Sequence, residues 1–301
     1  MKMIEMAGVS KVFGKLTAVD GLSLTVNRGE IFGLVGPDGA GKTTVIRMLT
    51  GVMDPSAGTV RVLGETVIEK IKPHLGYVPQ RFSLYGDLTV FENIRFIGSL
   101  YGAATRTIAA KAEEILRFTN LWAFRDRLAD NLSGGMKQKL ALAAGLMHRP
   151  DLFFLDEPTT GVDPVSRREF WQMLYRLNKE GMTVVVSTPY MDEAELCTQV
   201  AFMHQGKIVA AAAPLELKRD YPYRLLELQV RHKDVKPFLA ECPVREINSF
   251  GEKYHLVVDN PEAAAAAVRQ ALHAAGLEVL GLTEVAPTME DVFVAMAGEE
   301  S

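Results

Sequence analysis

The stretch Gly36-Pro37-Asp38-Gly39-Ala40-Gly41-Lys42-Thr43 constrains this chain more than any other. It follows the apolar run Ile31-Phe32-Gly33-Leu34-Val35, which reads as a buried strand. It leads into Thr44-Val45-Ile46-Arg47-Met48-Leu49, which reads as a helix. A glycine-rich turn between a strand and a helix is a phosphate cradle. Gly36, Gly39 and Gly41 let the backbone curl, with positive φ open to them at little steric cost. Successive N–H groups from Gly36 to Thr44 then point at phosphate oxygens, and the helix start adds its partial positive charge. Lys42 reaches the β/γ-phosphates as a point charge, and the Thr43 hydroxyl is placed to ligate Mg²⁺. Nucleotide binding is therefore favoured over a merely glycine-rich turn.

The 301 residues suffice for one large domain and a smaller one. A net charge of −4 gives no general attraction for nucleic acid or an anionic membrane surface. Cys197 and Cys242 show neither metal-type spacing nor a disulfide framework, as expected in a reducing cytosol. The N-terminus has no basic region followed by an apolar core. Runs such as Met182–Val186 fall far short of the roughly 20 apolar residues a spanning helix needs. The chain is expected to be cytoplasmic and not to cross a membrane by itself.

The first 30 residues alternate apolar and polar positions, as antiparallel strands beside a main sheet would, and 58–64 reads as another strand. From Leu88 to Asn131 the texture is helical, with Thr89 and Glu92 spaced as a capping box before Phe91, Ile94, Phe96, Ile97 and Leu100. Residues 152–156 and 182–187 are short β-branched or apolar runs typical of parallel strands buried on both faces. Between them, Asp163 reads as an N-cap with Pro164 at the first helical position, and Gly181 marks the end. The expected core is an α/β domain over 1–215, with a helical subdomain at about 88–150 and an antiparallel β subdomain in front. A boundary is expected near 213–222. Beyond it, the order β-α-β-β-α-β predicts a small ferredoxin-like α+β domain over 222–301, closed by a helix at 288–296 and carrying no catalytic constellation.

Two further elements bear on chemistry. Asp156 ends an apolar strand, where its carboxylate can serve a metal ion, and Glu157 follows, placed to polarise a water attacking the γ-phosphate. Leu132-Ser133-Gly134-Gly135-Met136 has the form of a second anion-binding helix start, with Ser133 as N-cap and two glycines leaving amides bare. One nucleotide could engage both sites of a single chain only if the helical region folded back over it. The other arrangement, and the preferred one, is a head-to-tail pair in which the Ser133 helix of one copy closes on the Lys42 loop of the other.

With these motifs in order, residues 1–215 resemble the ATP-binding subunit of an ABC transporter. The resemblance implies a P-loop NTPase fold of the ABC type and identifies Gly36–Thr43 with Walker A, Leu132–Met136 with the signature, and Leu152–Asp156 with Walker B. It implies Glu157 as the catalytic carboxylate, acting with Lys42. Gln80, after Gly76-Tyr77-Val78-Pro79, takes the place of the glutamine that contacts Mg²⁺ and the attacking water. Phe13 takes the place of the aromatic that stacks on adenine, although a phenylalanine there in isolation is more often core. Thr160-Gly161-Val162-Asp163 matches the D-loop at the dimer seam. Pro287–Phe293 resembles the tail of the drug- and antibiotic-efflux branch. That branch implies ATP and Mg²⁺ as cofactors, a second ATPase domain and ABC-2-type membrane permeases as partners, and residence on the inner face of the cell membrane. Pro37-Asp38 and the tail are similar to the first half of tandem exporters that work with a periplasmic adaptor. A groove near Gln80–Asp87, with Phe82, Leu84 and Tyr85 as apolar contacts, would receive the permease.

One position departs from the family. Pro189 stands where a switch histidine normally contacts the γ-phosphate, and proline offers neither imidazole nor N–H. His204, on a later strand, is not expected to substitute. The expectation is tight ATP binding with slow hydrolysis, unless Thr188 or a rearranged loop replaces the contact. Two other readings compete: a nucleotide-gated module with little turnover, and a soluble ABC ATPase acting on DNA or ribosomes. The second lacks its usual coiled coils and basic linkers here.

Overall fold

In the computed structural model, which describes residues 1–66, 68–100 and 105–298, the contacts divide the chain into Met1–Pro214 and Leu215–Ser301. Two stretches within the expected subdomains, 101–104 and 299–301, lie outside the described residues.

The first unit is built on two sheets. Strands β1 (Lys2–Phe13), β2 (Leu16–Asn27) and β4 (Ala57–Val62) form an antiparallel sheet in the order β2-β1-β4. The larger sheet runs β5-β6-β7-β3-β8-β9, from β3 (Ile31–Val35), β5 (Leu75–Val78), β6 (Leu152–Asp156), β7 (Thr183–Thr188), β8 (Gln199–His204) and β9 (Lys207–Ala212). Its first five strands are parallel and only β9 runs antiparallel, so β3, β6 and β7 are buried along their whole length. Helix α1 (Lys42–Leu49) fills the space between the sheets. Its Val45, Ile46, Met48 and Leu49 join Ile4 and Met6 on one side and Phe32, Leu34 and Phe154 on the other. Each such side chain contributes about 1.5–3 kcal/mol by leaving water.

Helices α2 (Val90–Leu100), α3 (Thr105–Phe118) and α4 (Gly134–Gly145) pack on one another, and α5 (Pro164–Lys179) lies beside α4. The capping box of α2 forms as expected: the Thr89 N–H donates to Glu92 at 2.8 Å and the Glu92 N–H to the Thr89 hydroxyl at 3.2 Å. Its apolar stripe is only partly absorbed. Ile94 is fully buried, whereas Phe96 and Leu100 face out, and Phe96 meets Tyr85 edge-on with ring centroids 5.1 Å apart. A short helix α6 (Met191–Ala194) follows β7, and α7 (Pro214–Arg219) occupies the segment expected as a boundary.

The second unit has strands β10 (Arg224–Val230), β11 (Glu246–Phe250), β12 (Lys253–Val258) and β13 (Val279–Val285), and helices α8 (Lys236–Leu239), α9 (Pro261–Ala274) and α10 (Met289–Gly298). Their antiparallel order β11-β12-β10-β13 is the ferredoxin-like arrangement read from the element order. Helix α8 is short, bounded by Pro237 in its first turn and by Pro243 beyond its end.

Candidate active site

The glycine loop is shaped by space as much as by dihedral angle. Gly39 and Gly41 have φ of 79° and 103°, but Gly36 does not, against the expectation that all three exploit positive φ. A Cβ on Gly36 would lie 2.2 Å from the Met203 carbonyl oxygen, and one on Gly41 would lie 2.4 Å from that of Ala18. The loop therefore threads between β8 and β2 where no side chain fits. Gly41 caps α1 without any side-chain acceptor, so the first-turn amides stay available to an anion.

Four separated segments meet at this loop. Lys42, only 3% exposed, donates to the carbonyls of Gly36 at 2.8 Å and Pro37 at 3.0 Å, and lies 3.2 Å from a Glu157 carboxylate oxygen. The Gln80 side-chain amide donates to the other Glu157 oxygen at 2.8 Å. Glu157 itself sits at φ 49°, a left-handed conformation rare for such a residue and retained only where neighbours impose it. The lysine is thus held by the acid, the loop carbonyls taking the rest of its donors.

Asp156 is 1% exposed and uses one oxygen, Oδ1, to accept from the hydroxyls of Thr43 at 3.1 Å and Ser187 at 2.6 Å. Its Oδ2 is buried without a partner. Burial pushes this carboxyl above the usual carboxylate range, against the pull of those two hydrogen bonds. A buried orphan oxygen beside a threonine hydroxyl is the donor set a divalent cation would complete.

The other expected site residues stand apart. Ser133 and Gly134 are exposed at the start of α4, where the Ser133 hydroxyl accepts from the Met136 N–H at 3.4 Å. Gly135 is buried against Ser166 of α5, where a Cβ would meet the Ser166 side chain at 2.5 Å. A Cβ on Gly134 would lie 3.7 Å from the Gly161 carbonyl oxygen, so the α4 start abuts the 160–163 turn of its own chain. Phe13 is 44% exposed at the end of β1, with Lys11 over its ring at 5.4 Å. Pro189 follows Thr188, whose hydroxyl donates to Glu193 at 2.6 Å and is therefore already engaged. Tyr85 is exposed, Phe82 and Leu84 are half-buried, and Lys137 lies over the Phe82 ring at 5.6 Å.

Sequence reading missed Ser187 and Glu193. Ser187 holds both Asp156 and, at 3.0 Å, the Glu157 N–H. Pairing of the two buried strands in register, Asp156 opposite Ser187, was the signal that could have found it.

Both units are similar to known proteins. The ABC transporter family matches residues 19–160, and the C-terminal domain of DrrA1-3-like ATP-binding proteins matches 213–297. A probable multidrug ABC transporter ATP-binding protein of Escherichia coli, YbhF, is 45% identical over 219 residues, 72% of this chain. The chain spans only 38% of that relative's length. The Nod factor export ATP-binding protein I of Rhizobium sp. (strain N33) is 37% identical over 302 residues, covering 99% of this chain and 97% of its own. Among solved structures, a dimeric ATP-binding cassette in a post-hydrolysis state with ADP and Pi is 25% identical, with a TM-score of 0.65 over 70% of this chain and 98% of that one.

Proposed function

From the premise that this chain belongs to the ABC transporter ATP-binding proteins, we propose that it hydrolyses ATP to energise an ABC-2-type exporter of drugs or other small hydrophobic compounds. The observation that carries the reading is the convergence of Lys42, Gln80, Glu157 and the Thr43–Asp156 pair on one glycine loop. ATP entering the loop gives Lys42 a phosphate in place of Glu157. The freed carboxylate, still oriented by Gln80, accepts the proton of a water whose oxygen bonds to the γ-phosphorus as the bond to the β-phosphate oxygen breaks. Thr43, Asp156 and Gln80 would hold Mg²⁺, which neutralises charge developing on the phosphates.

Completion of the site falls to a second copy or a second ATPase domain. Ser133, Gly134 and Gly135 of one would cover the γ-phosphate held by Lys42 of the other, with Phe13 against the base. The exposed pair Tyr85–Phe96 and the half-buried Phe82 and Leu84 form the apolar surface suited to a short helix of the permease. Among the described residues no helix is long and apolar enough to cross a membrane, so attachment to the inner face would run through that contact. The relatives' printed roles, multidrug transport and Nod factor export, support export. A periplasmic adaptor is the further partner that the tail resemblance favours. The division into an ATPase domain over 1–215 and an accessory domain over 222–301 follows the two contact units.

A second reading, a nucleotide-gated module with little turnover, draws on Pro189 and on the engagement of the Thr188 hydroxyl by Glu193. MgATP turnover by the purified chain and by Glu157→Gln separates the two. The ATPase reading expects Glu157→Gln to lose about 10²- to 10⁴-fold in rate. Equal rates in parent and variant would leave only the binding module.

A further inference from the structure

Glu193 lies outside the nucleotide site, yet it is 1% exposed and its carboxylate is fully engaged. Oε1 accepts from the Thr159 hydroxyl at 2.7 Å and the Trp171 indole N–H at 3.1 Å, with Arg167 Nε 3.8 Å away. Oε2 accepts from the Thr188 hydroxyl at 2.6 Å. That hydroxyl oxygen in turn accepts from the Tyr190 N–H at 3.1 Å. Three donors on a buried carboxylate form a fully satisfied network, the kind that specifies one arrangement.

The two threonines bracket the reacting groups. Thr159 is two residues beyond Glu157, in the turn where the Thr160 N–H donates to the Glu157 carbonyl and the Val162 N–H to that of Thr159. Thr188 is one residue beyond Ser187, which holds the Glu157 N–H, and its own carbonyl accepts from the Gly36 N–H at 3.2 Å. One carboxylate therefore spans the ends of β6 and β7 and, through Thr188, the first residue of the phosphate loop. Proline at 189 removes the main-chain donor there, and the turn after β7 is closed instead through the Thr188 side chain.

We infer that Glu193 is a positioning residue for hydrolysis, a buried brace that fixes the left-handed backbone of Glu157 by tying Thr159 to Thr188. The inference rests on the ATPase reading above. A displacement near 1 Å at a catalytic group costs on the order of 10²-fold in rate. Glu193→Ala is expected to lower kcat about 10- to 100-fold with KM for MgATP within about twofold. Glu193→Gln keeps the Oε1 acceptor for Thr159 and Trp171 and presents an amide to the Thr188 oxygen, so it should recover most of that loss. Should Glu193→Ala not fold, Thr159→Val and Thr188→Val each remove one donor at nearly constant volume. Each should lower kcat about three- to tenfold at unchanged KM, and the two should be non-additive with each other.

Rates within twofold of the parent in all variants would overturn the inference. So would kcat and KM moving together with the melting temperature, or strictly additive effects. If the parent showed no turnover, the ATPase reading would fall by itself. The brace would then be read in a Trp122→Phe background, where Trp171 is the remaining indole. There Glu193→Ala, which removes the acceptor of the indole N–H, must shift Trp171 emission, and an unshifted spectrum would overturn the brace.

Discussion

The helix starts at Lys42 and Ser133 both suit an anion, but the chain treats them differently. At the first, the lysine is buried and bonded to two carbonyls and to Glu157, with Asp156 and Gln80 locked around it. At the second, Ser133 and Gly134 are exposed, and the glycine that packs, Gly135, serves the contact with α5. One end gathers its charged groups around an internal carboxylate, Glu157. The other presents Ser133 and Gly134 on the surface. The difference supports the proposal that the catalytic parts come from one copy and the closing part from another.

The contrast is sharpened most by Ser133→Arg, which fills the open end and leaves the Lys42 end untouched. Turnover should fall about 10²-fold, by loss of preorganised donors, while ATP affinity of isolated copies stays within twofold. Matched losses of affinity and turnover in a nucleotide-binding titration would break the comparison. Pro189→His adds a donor at the closed end and should raise turnover about 10- to 100-fold. An unchanged steady-state rate would show that the engaged Thr188, or another group, already serves. Lys42→Ala should weaken MgATP binding about tenfold or more in calorimetry, because a hydrogen bond to a charged group is worth roughly 1.5–3 kcal/mol. It should also lower the melting temperature, since Glu157 is left buried without its cation.

The smallest expected shift is thermal and concerns Asp156. Its folded-state pKa is raised by burial, so the folded chain holds this proton more tightly than the unfolded chain does. Its contribution favours folding below the unfolded pKa and is lost as pH rises through the folded one. At neutral pH without Mg²⁺, Asp156→Asn should therefore raise the melting temperature, by about 2–4 °C for each kcal/mol relieved, while abolishing Mg²⁺-dependent turnover. A lowered melting temperature in calorimetry at pH 7 would contradict the orphan oxygen.

Much of this was legible in the residues, for physical reasons. Strands 152–156 and 183–188 announced themselves because burial on both faces forbids polar alternation, and Thr89, Ser133 and Asp163 because helix amides need acceptors. The closed end of the site was legible for the same reason, since its chemistry is concentrated in one contiguous loop. Glu193 and Ser187 were not, because their roles arise from strand register and from a turn closed by side chains 34 and 31 positions away in sequence. Phe96 and Leu100 face outward, periodicity alone giving the stripe but not what covers it.

The central claim, a nucleotide held by Lys42 of one copy and capped by Ser133 of another, is tested most directly by a paired-cysteine crosslink. Asp38→Cys and Ser133→Cys would be placed together in a Cys242→Ser background carrying Glu157→Gln, which retains bound ATP. The account predicts disulfide-linked dimers that form with MgATP and not without nucleotide. A crosslink confined to single chains, or none when MgATP is bound, would contradict it.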